Sequence, residues 1–183
     1  MKENRNYDRV WRALHWGMAL ALIALLAVIE IKGELPKGPL KGALVNIHKQ
    51  LGIAVFILVW WRLVWRWKHQ IPPITPALTR AMDGISHLAH GLLYLAMIVI
   101  PALGVLFKQA RGDSVDFLGW TLPAIVDDGT AMQYAKTLKS IHETLGNALI
   151  WLIAAHVAAV LYHYWVRRDD TLQRMVGRAG NKI

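Results

Sequence analysis

Histidine is the residue type through which this 183-residue chain can do chemistry: it has eight, and most lie in or beside long apolar runs. An ionisable side chain inside such a run is costly in a bilayer, so it faces protein and either serves a function or bonds another helix. His142 and His156 fall on one run. On a helix that interval is about 21 Å of rise and close to four turns, so both project from nearly one face. His48 opens the second run at the depth of His142, and His15 lies in the first at the depth of His156. Two depth-matched pairs result, His48 with His142 and His15 with His156, one near each membrane surface. Imidazoles from facing helices supply both axial positions of a haem iron. Zinc or copper needs three or four donors at one point, whereas these four divide into two separate pairs. A haem closed by two histidines has no open coordination position, so its task is electron transfer. Gly52 and Gly146 each follow a histidine by one turn, and Ala19 does so after His15. They leave room where a flat ring has to pass, although small residues also mark ordinary helix contacts in membranes.

The elements that must hold these side chains are apolar stretches near the roughly 20 residues a spanning helix needs. They run over about 10–31, 44–67, 85–107 and 140–166. The expected fold is all-α, an integral membrane four-helix transmembrane bundle forming one domain over 1–183. The second link, Ile71-Pro72-Pro73-Ile74-Thr75-Pro76, reads as extended; the third, 108–139, is the longest. Hydrophobic residues make up 55% of the chain and charged residues 18%, which disfavours a soluble domain. No cysteine is present, which excludes disulfides, iron–sulfur clusters and covalent haem attachment. The net charge of +9 is not a nucleic-acid signal, because basic residues flank the apolar runs instead of lining one face. Most lysines and arginines, including Lys2, Arg5, Arg62, Arg66 and Lys182, fall in the N-terminal, second-link and C-terminal segments. Both termini are therefore expected in the cytoplasm. The opposite side carries Lys37, Lys41, Lys49, Lys108, Arg111, Lys136 and Lys139 together with acids that include Asp113, Asp127, Asp128 and Glu143. Tryptophans 11, 16, 60, 61, 65, 67 and 165 lie near run ends, as interfacial anchors do, and could equally pack against a flat cofactor. No cleavable leader is expected, since the first run ends Ile29-Glu30-Ile31-Lys32 without a small-residue cleavage pattern.

Motifs along most of the chain resemble the bacterial cytochrome b561 family. They are Ala13-Leu14-His15-Trp16, Asn46-Ile47-His48-Lys49-Gln50-Leu51-Gly52, Arg62-Leu63-Val64-Trp65-Arg66 before Pro72-Pro73, Ser86-His87-Leu88-Ala89-His90-Gly91, and Ile141-His142-Glu143-Thr144-Leu145-Gly146 on to His156. The resemblance implies two non-covalent b-type haems with His15, His48, His142 and His156 as axial ligands, the same set that depth matching gives. It also implies a bacterial inner membrane and exchange of electrons with a membrane quinone. Stand-alone members are linked to superoxide oxidation at the outer face with reduction of ubiquinone, which would make the chain a quinone-linked oxidoreductase. Membrane subunits of formate dehydrogenases and nickel hydrogenases share the pairing, so a haem-bearing anchor for a partner enzyme is the second reading. A haem-free transporter with structural or proton-relay histidines is the third.

Three further histidines are quinone candidates: His87 and His90, spaced by three with Tyr94 beyond them, and His163, seven residues after His156. A quinone head group needs such a hydrogen-bond partner and a proton route. The competing role is a hydrogen-bonded network or contact with haem propionates. Arg62 and Arg66 read first as positive-side anchors and second as propionate partners. His69 reads as solvated, and the tail from Arg167 carries no recognisable chemistry. Electron donor, direction of electron flow and oligomeric state are not written in the sequence.

Overall fold

The computed structural model describes residues 6–126 and 128–178, with side chains for all of these except 128–131. Lys2, Arg5, Lys182 and Asp127, and the side chain of Asp128, which enter the charge reading above, lie outside it. Among the described residues there are five α-helices: α1 (Arg9–Glu34), α2 (Pro39–Lys68), α3 (Arg80–Ala110), α4 (Asp128–Tyr162) and α5 (Thr171–Val176). A π-helical turn, His163–Arg167, continues α4. Four of these helices are long and apolar enough to cross a membrane. The chain is thus an all-α membrane bundle in which the first and last described segments meet on one side, since Tyr7 N–H reaches the Arg174 carbonyl at 3.3 Å. That side is called the terminal end here, and the opposite one the hairpin end.

α1 to α3 extend beyond the apolar runs that announced them at both ends, and α4 begins before its run but gives way to the π-helical turn at His163. α1 starts at a cap: Asp8 Oδ1 accepts from Trp11 N at 2.8 Å, while Oδ2 accepts from Trp65 Nε1 on α2 at 3.0 Å. Burial would raise this carboxyl's pKa, but those hydrogen bonds outweigh it and hold it below the usual range. α2 begins five residues early at Pro39, whose fixed φ suits the first helical position. Thr79 caps α3 by accepting from Met82 N. α4 begins well before residue 140, so much of the expected third link is helix.

The rest of that link folds as a hairpin, with Asp116–Phe117 (β1) paired antiparallel to Trp120–Thr121 (β2). Leu118 (φ 49°) and Gly119 (φ 86°) both take the left-handed turn that hairpins favour. Two glutamines pin this loop to the bundle. Gln50 donates to Asp116 O at 2.8 Å and accepts from Leu118 N at 3.0 Å. Gln109, buried at the end of α3, donates to Pro123 O at 2.8 Å and accepts from Ile125 N at 3.0 Å. Backbone groups that would otherwise stand unpaired are satisfied this way.

The central core is Met18, Leu22, Val55, Val59, Met97, Ile100 and Leu149, one contribution or more from each of α1 to α4. Large apolar side chains such as Leu20, Ile57, Leu95 and Trp151 point outward, as lipid-facing positions do. α1 packs along α2, α3 along α4, and α2 against α3, whereas α4 makes no comparably close packing with α1 or α2. The tryptophans divide. Trp60, Trp61, Trp67 and Trp165 are exposed, as interfacial anchors are, but Trp11 is only 4% exposed and is core.

The tail does more than its composition announces. After the π-helical turn, Arg168 adopts a left-handed conformation (φ 54°) and turns the chain under the bundle. Asp169 is 2% exposed there; its Oδ2 accepts from His163 Nδ1 at 2.5 Å and Arg167 Nε at 3.0 Å, and its Oδ1 from Thr171 N at 3.1 Å. Burial alone would raise this carboxyl's pKa, but the hydrogen bonds from Thr171, His163 and Arg167 prevail and lower it. A carboxylate whose folded pKa lies below its unfolded value stabilises fully above the unfolded value. That contribution is lost as pH falls through the folded value. The tail is therefore expected to hold at neutral pH and to release only well into acid, read as the rate of tryptic cleavage at exposed Arg168. Asp169→Asn should accelerate that cleavage at neutral pH, since removing one partner of a buried ion pair costs about 3 kcal/mol.

Candidate haem site

Each histidine of interest is placed by a helix whose register the apolar pattern sets. His15 (α1) and His156 (α4) face each other near the terminal end with ring centroids 6.4 Å apart. His48 (α2) and His142 (α4) face each other toward the hairpin end at 6.2 Å. Depth matching and helix periodicity thus bring together the pairs that the sequence names, across the two helix contacts that are not closely packed. A metal–imidazole bond of about 2 Å, with about 1 Å more to each ring centre, puts two centroids ~6 Å apart across one metal ion. Both spacings fit an iron between two imidazoles, and no group of three or more metal-binding side chains occurs among the described residues.

Tautomers are set differently at the two levels. His142 Nδ1 lies 2.8 Å from the carbonyl of Ile100, and His48 Nδ1 lies 3.4 Å from that of Leu25. A carbonyl only accepts, so each Nδ1 carries the proton and Nε2 keeps its lone pair for a metal. His142 approaches α3 this closely because residue 104 is glycine. A Cβ there would stand 3.1 Å from His142 Cε1 and 3.3 Å from Nδ1. Gly104 was not picked out in the sequence because it lies on a different helix from the ring it accommodates. At the other two glycines, a Cβ on Gly52 would make ordinary contact with Leu25 at 3.8 Å. One on Gly146 would meet nothing within 4 Å.

At the terminal end, His15 Nδ1, Arg62 Nε and Tyr94 Oη are buried without a hydrogen-bond partner. The Arg62 guanidinium lies over the Tyr94 ring, 5.7 Å from its centroid. Arg62 thus points inward instead of serving as a surface anchor. Unpartnered buried donors of this kind fit a site built to receive a polar, carboxylate-bearing group. His90 joins this level: its ring stands edge-on to His156 at 5.4 Å, and its Nδ1 lies 2.6 Å from the Ser86 carbonyl. His87 is exposed and lies 2.9 Å from the Asp83 carbonyl, while His163 is committed to Asp169. His69 stacks on Trp65 at 4.1 Å, so it is less free than its polar link suggested.

At the hairpin end, ion pairs engage several of the cations. Lys108 lies 2.6 Å from Asp113, whose carboxyl this bond holds below its usual pKa, and Lys139 lies 2.5 Å from Glu143. Lys41 donates to the Leu35 carbonyl. Arg111, Lys136 and Lys139 line one shallow depression with Met132 and Ala135.

Comparison with known proteins identifies the family. The profile described as prokaryotic cytochrome b561 matches residues 6–178. The chain is 32% identical to "Cytochrome b561 homolog 1" of Escherichia coli (strain K12), over 90% of this chain and 93% of the relative. It is 30% identical to "Probable superoxide oxidase CybB" of Yersinia pestis, over 94% and 97%, and 28% identical to "Cytochrome b561 homolog 2" of Escherichia coli (strain K12), over 96% and 93%. With four apolar helices and a match over nearly its whole length, the chain belongs to the prokaryotic cytochrome b561 family, the multi-pass membrane cytochromes that carry electrons through b-type haem.

Proposed function

We propose that the chain binds two b-type haems and passes electrons across a bacterial inner membrane, between superoxide at the hairpin end and ubiquinone at the terminal end. The observation that carries this is the pair of histidine pairs, each at the spacing of one iron and set at opposite ends of the core. His48 and His142 hold the hairpin-end haem, and His15 and His156 the other. Bound there, haem supplies reversible one-electron chemistry with no open coordination position. The Leu25 and Ile100 carbonyls orient their imidazoles, Gly104 admits the His142 ring, and the α1–α4 and α2–α4 separations, with Gly52 and Gly146, leave room for flat rings. Arg62 is placed for a carboxylate. The core between the two levels excludes water.

The hairpin end is the outer side on this reading and both termini are cytoplasmic, which follows from the bias of basic residues toward the terminal end. The overall reaction balances as two superoxide anions losing one electron each to give two O2, while ubiquinone gains both electrons and two protons. The Yersinia pestis relative, named a probable superoxide oxidase, supports this substrate. Support from the site itself is the depression lined by Arg111, Lys136 and Lys139, whose three cations outnumber the Asp113 and Glu143 carboxylates paired with them and would draw in a small anion. Lys136→Gln with Lys139→Gln should slow superoxide-driven quinone reduction on the order of tenfold at low salt and flatten its salt dependence. An unchanged rate and salt response would contradict steering at this depression.

For the quinone, the arrangement favours His90 over His87 and His163. His90 is half-buried beside His156, whereas His87 faces outward and His163 is held by Asp169. With Nδ1 turned to the Ser86 carbonyl, His90 would take up a proton at Nε2 from the terminal side and donate it to the head group. His90→Ala is expected to reduce quinone turnover on the order of 100-fold while both haems remain bound. His87→Ala should stay close to the unmodified protein. The test is ubiquinol formation in liposomes supplied with superoxide outside, with added dismutase as the control. Quinone reduction that dismutase does not abolish, or none at all in protein with both haems, would overturn the substrate assignment.

A further inference from the structure

The segment from Asp169 to Val176 is a strap across the terminal end, bonded to Tyr7, α1, the second link and the end of α4. Asp169 fastens it to the end of α4 through His163 and Arg167. Asp170 and Thr75 exchange two bonds: Thr75 N donates to Asp170 Oδ1 at 2.8 Å and Asp170 N donates to Thr75 O at 3.1 Å. Arg174, 2% exposed, donates to the Pro72 carbonyl in the same link and lies over the Tyr7 ring at 5.1 Å. On α1, Trp16 Nε1 donates to the Met175 carbonyl at 3.1 Å.

That last bond reaches the cofactor site. The Trp16 ring stands edge-on to His15, with centroids 5.3 Å apart and planes at 76°. His48 and His142 have carbonyls near Nδ1 to fix their ring planes, but His15 Nδ1 is buried with no such partner. The plane of His15 is thus set by packing, and its packing neighbour Trp16 is held at its far edge by the strap.

We propose that Trp16 and the C-terminal strap are positioning elements for His15, fixing the ring plane of this one axial ligand through the Trp16–Met175 bond. The proposal rests on the two-haem reading above. It goes further by assigning a role to the tail and by predicting that the two haem sites differ in their dependence on it. No other histidine of the four is reached by a strap bond among the described residues.

The experiment uses the full-length purified protein and low-temperature electron paramagnetic resonance of its oxidised haems, whose g values report the angle between two axial imidazole planes. Variants are Trp16→Phe, which keeps a ring but lacks the indole donor, and Asp169→Asn, which loosens the strap from α4. Each is expected to shift one of two low-spin signals, the same one in both, and to leave the other unmoved. The shifted signal should be the one abolished by His15→Ala. The double variant should shift it no further than Trp16→Phe alone. The unmoved second signal reports that the bundle is folded, and should Asp169→Asn fail to accumulate, Trp16→Phe alone carries the test. Both signals unmoved in Trp16→Phe, or both displaced together, would overturn the proposal. Fewer than two bis-histidine signals in the unmodified protein would instead overturn the two-haem reading on which it stands.

Discussion

Substituting His142 or His48 with alanine is expected to remove one haem and leave the other, and substituting His15 or His156 to do the converse. The grouping matters more than the loss itself. His48 and His142 stand 6.2 Å apart and His15 and His156 6.4 Å, each pair at the spacing of a shared iron, while His90 meets His156 edge-on with its Nδ1 turned to the Ser86 carbonyl. Removing either imidazole strips the same iron of an axial bond, while the second site is roughly 21 Å away along α4. Haem content should therefore fall to about half of the two per chain expected from bis-histidine ligation at both sites. The reduced spectra of His142→Ala and His48→Ala should match each other and differ from those of the other two variants. Loss of both haems from any single variant, in protein that still elutes as a folded species, would show that the sites are not independent.

Gly104→Val should produce the loss seen in His142→Ala without altering a ligand. The glycine stands where a Cβ would sit 3.1 Å from the His142 ring, and the Ile100 carbonyl holds that ring's Nδ1 from the same helix at 2.8 Å. A branched side chain there drives the imidazole off α3, breaks its hydrogen bond and turns Nε2 away from the iron position. Gly104→Ala is the graded case. Its methyl requires a shift of a few tenths of an ångström, so both haems should bind while the potential of the hairpin-end haem changes. Orienting partners of metal-bound histidines typically matter by 10- to 100-fold in metal affinity. Valine at 104 is expected in that range, measured by haem titration of the apoprotein. Full haem binding by Gly104→Val with an unaltered spectrum would mean that the close approach of α3 to His142 has no part in ligation.

The sequence was legible where a physical rule acts over a single helix. Apolar length announced the four spans, and the helical repeat put His142 and His156 on one run, where their rings stand 6.2 Å and 6.4 Å from those of His48 and His15. What it concealed depends on contacts between elements. Gly104 matters because of a ring on α4, and nothing near it in the chain says so. The hairpin was missed because its turn is Leu118-Gly119 instead of an asparagine–glycine pair, and because it is pinned from Gln50 and Gln109 on two other segments. The first turns of α4 are too polar to register as a span, although residues such as Ala135 and Leu138 suit a helix. Asp169 gave no signal in a tail of mixed charge, since its importance comes from burial against His163 and Arg167. Similarly, Arg62 read as a surface cation until its Nε was found buried near the core.

The central claim is that the bundle holds two haems, each between one histidine of α4 and one from α1 or α2. The haem-to-protein ratio of the purified full-length chain, from a pyridine haemochrome assay, tests it most directly. Two b-type haems per chain are expected from two bis-histidine sites. A ratio of one, or a folded protein without colour after haem supplementation, would contradict the account.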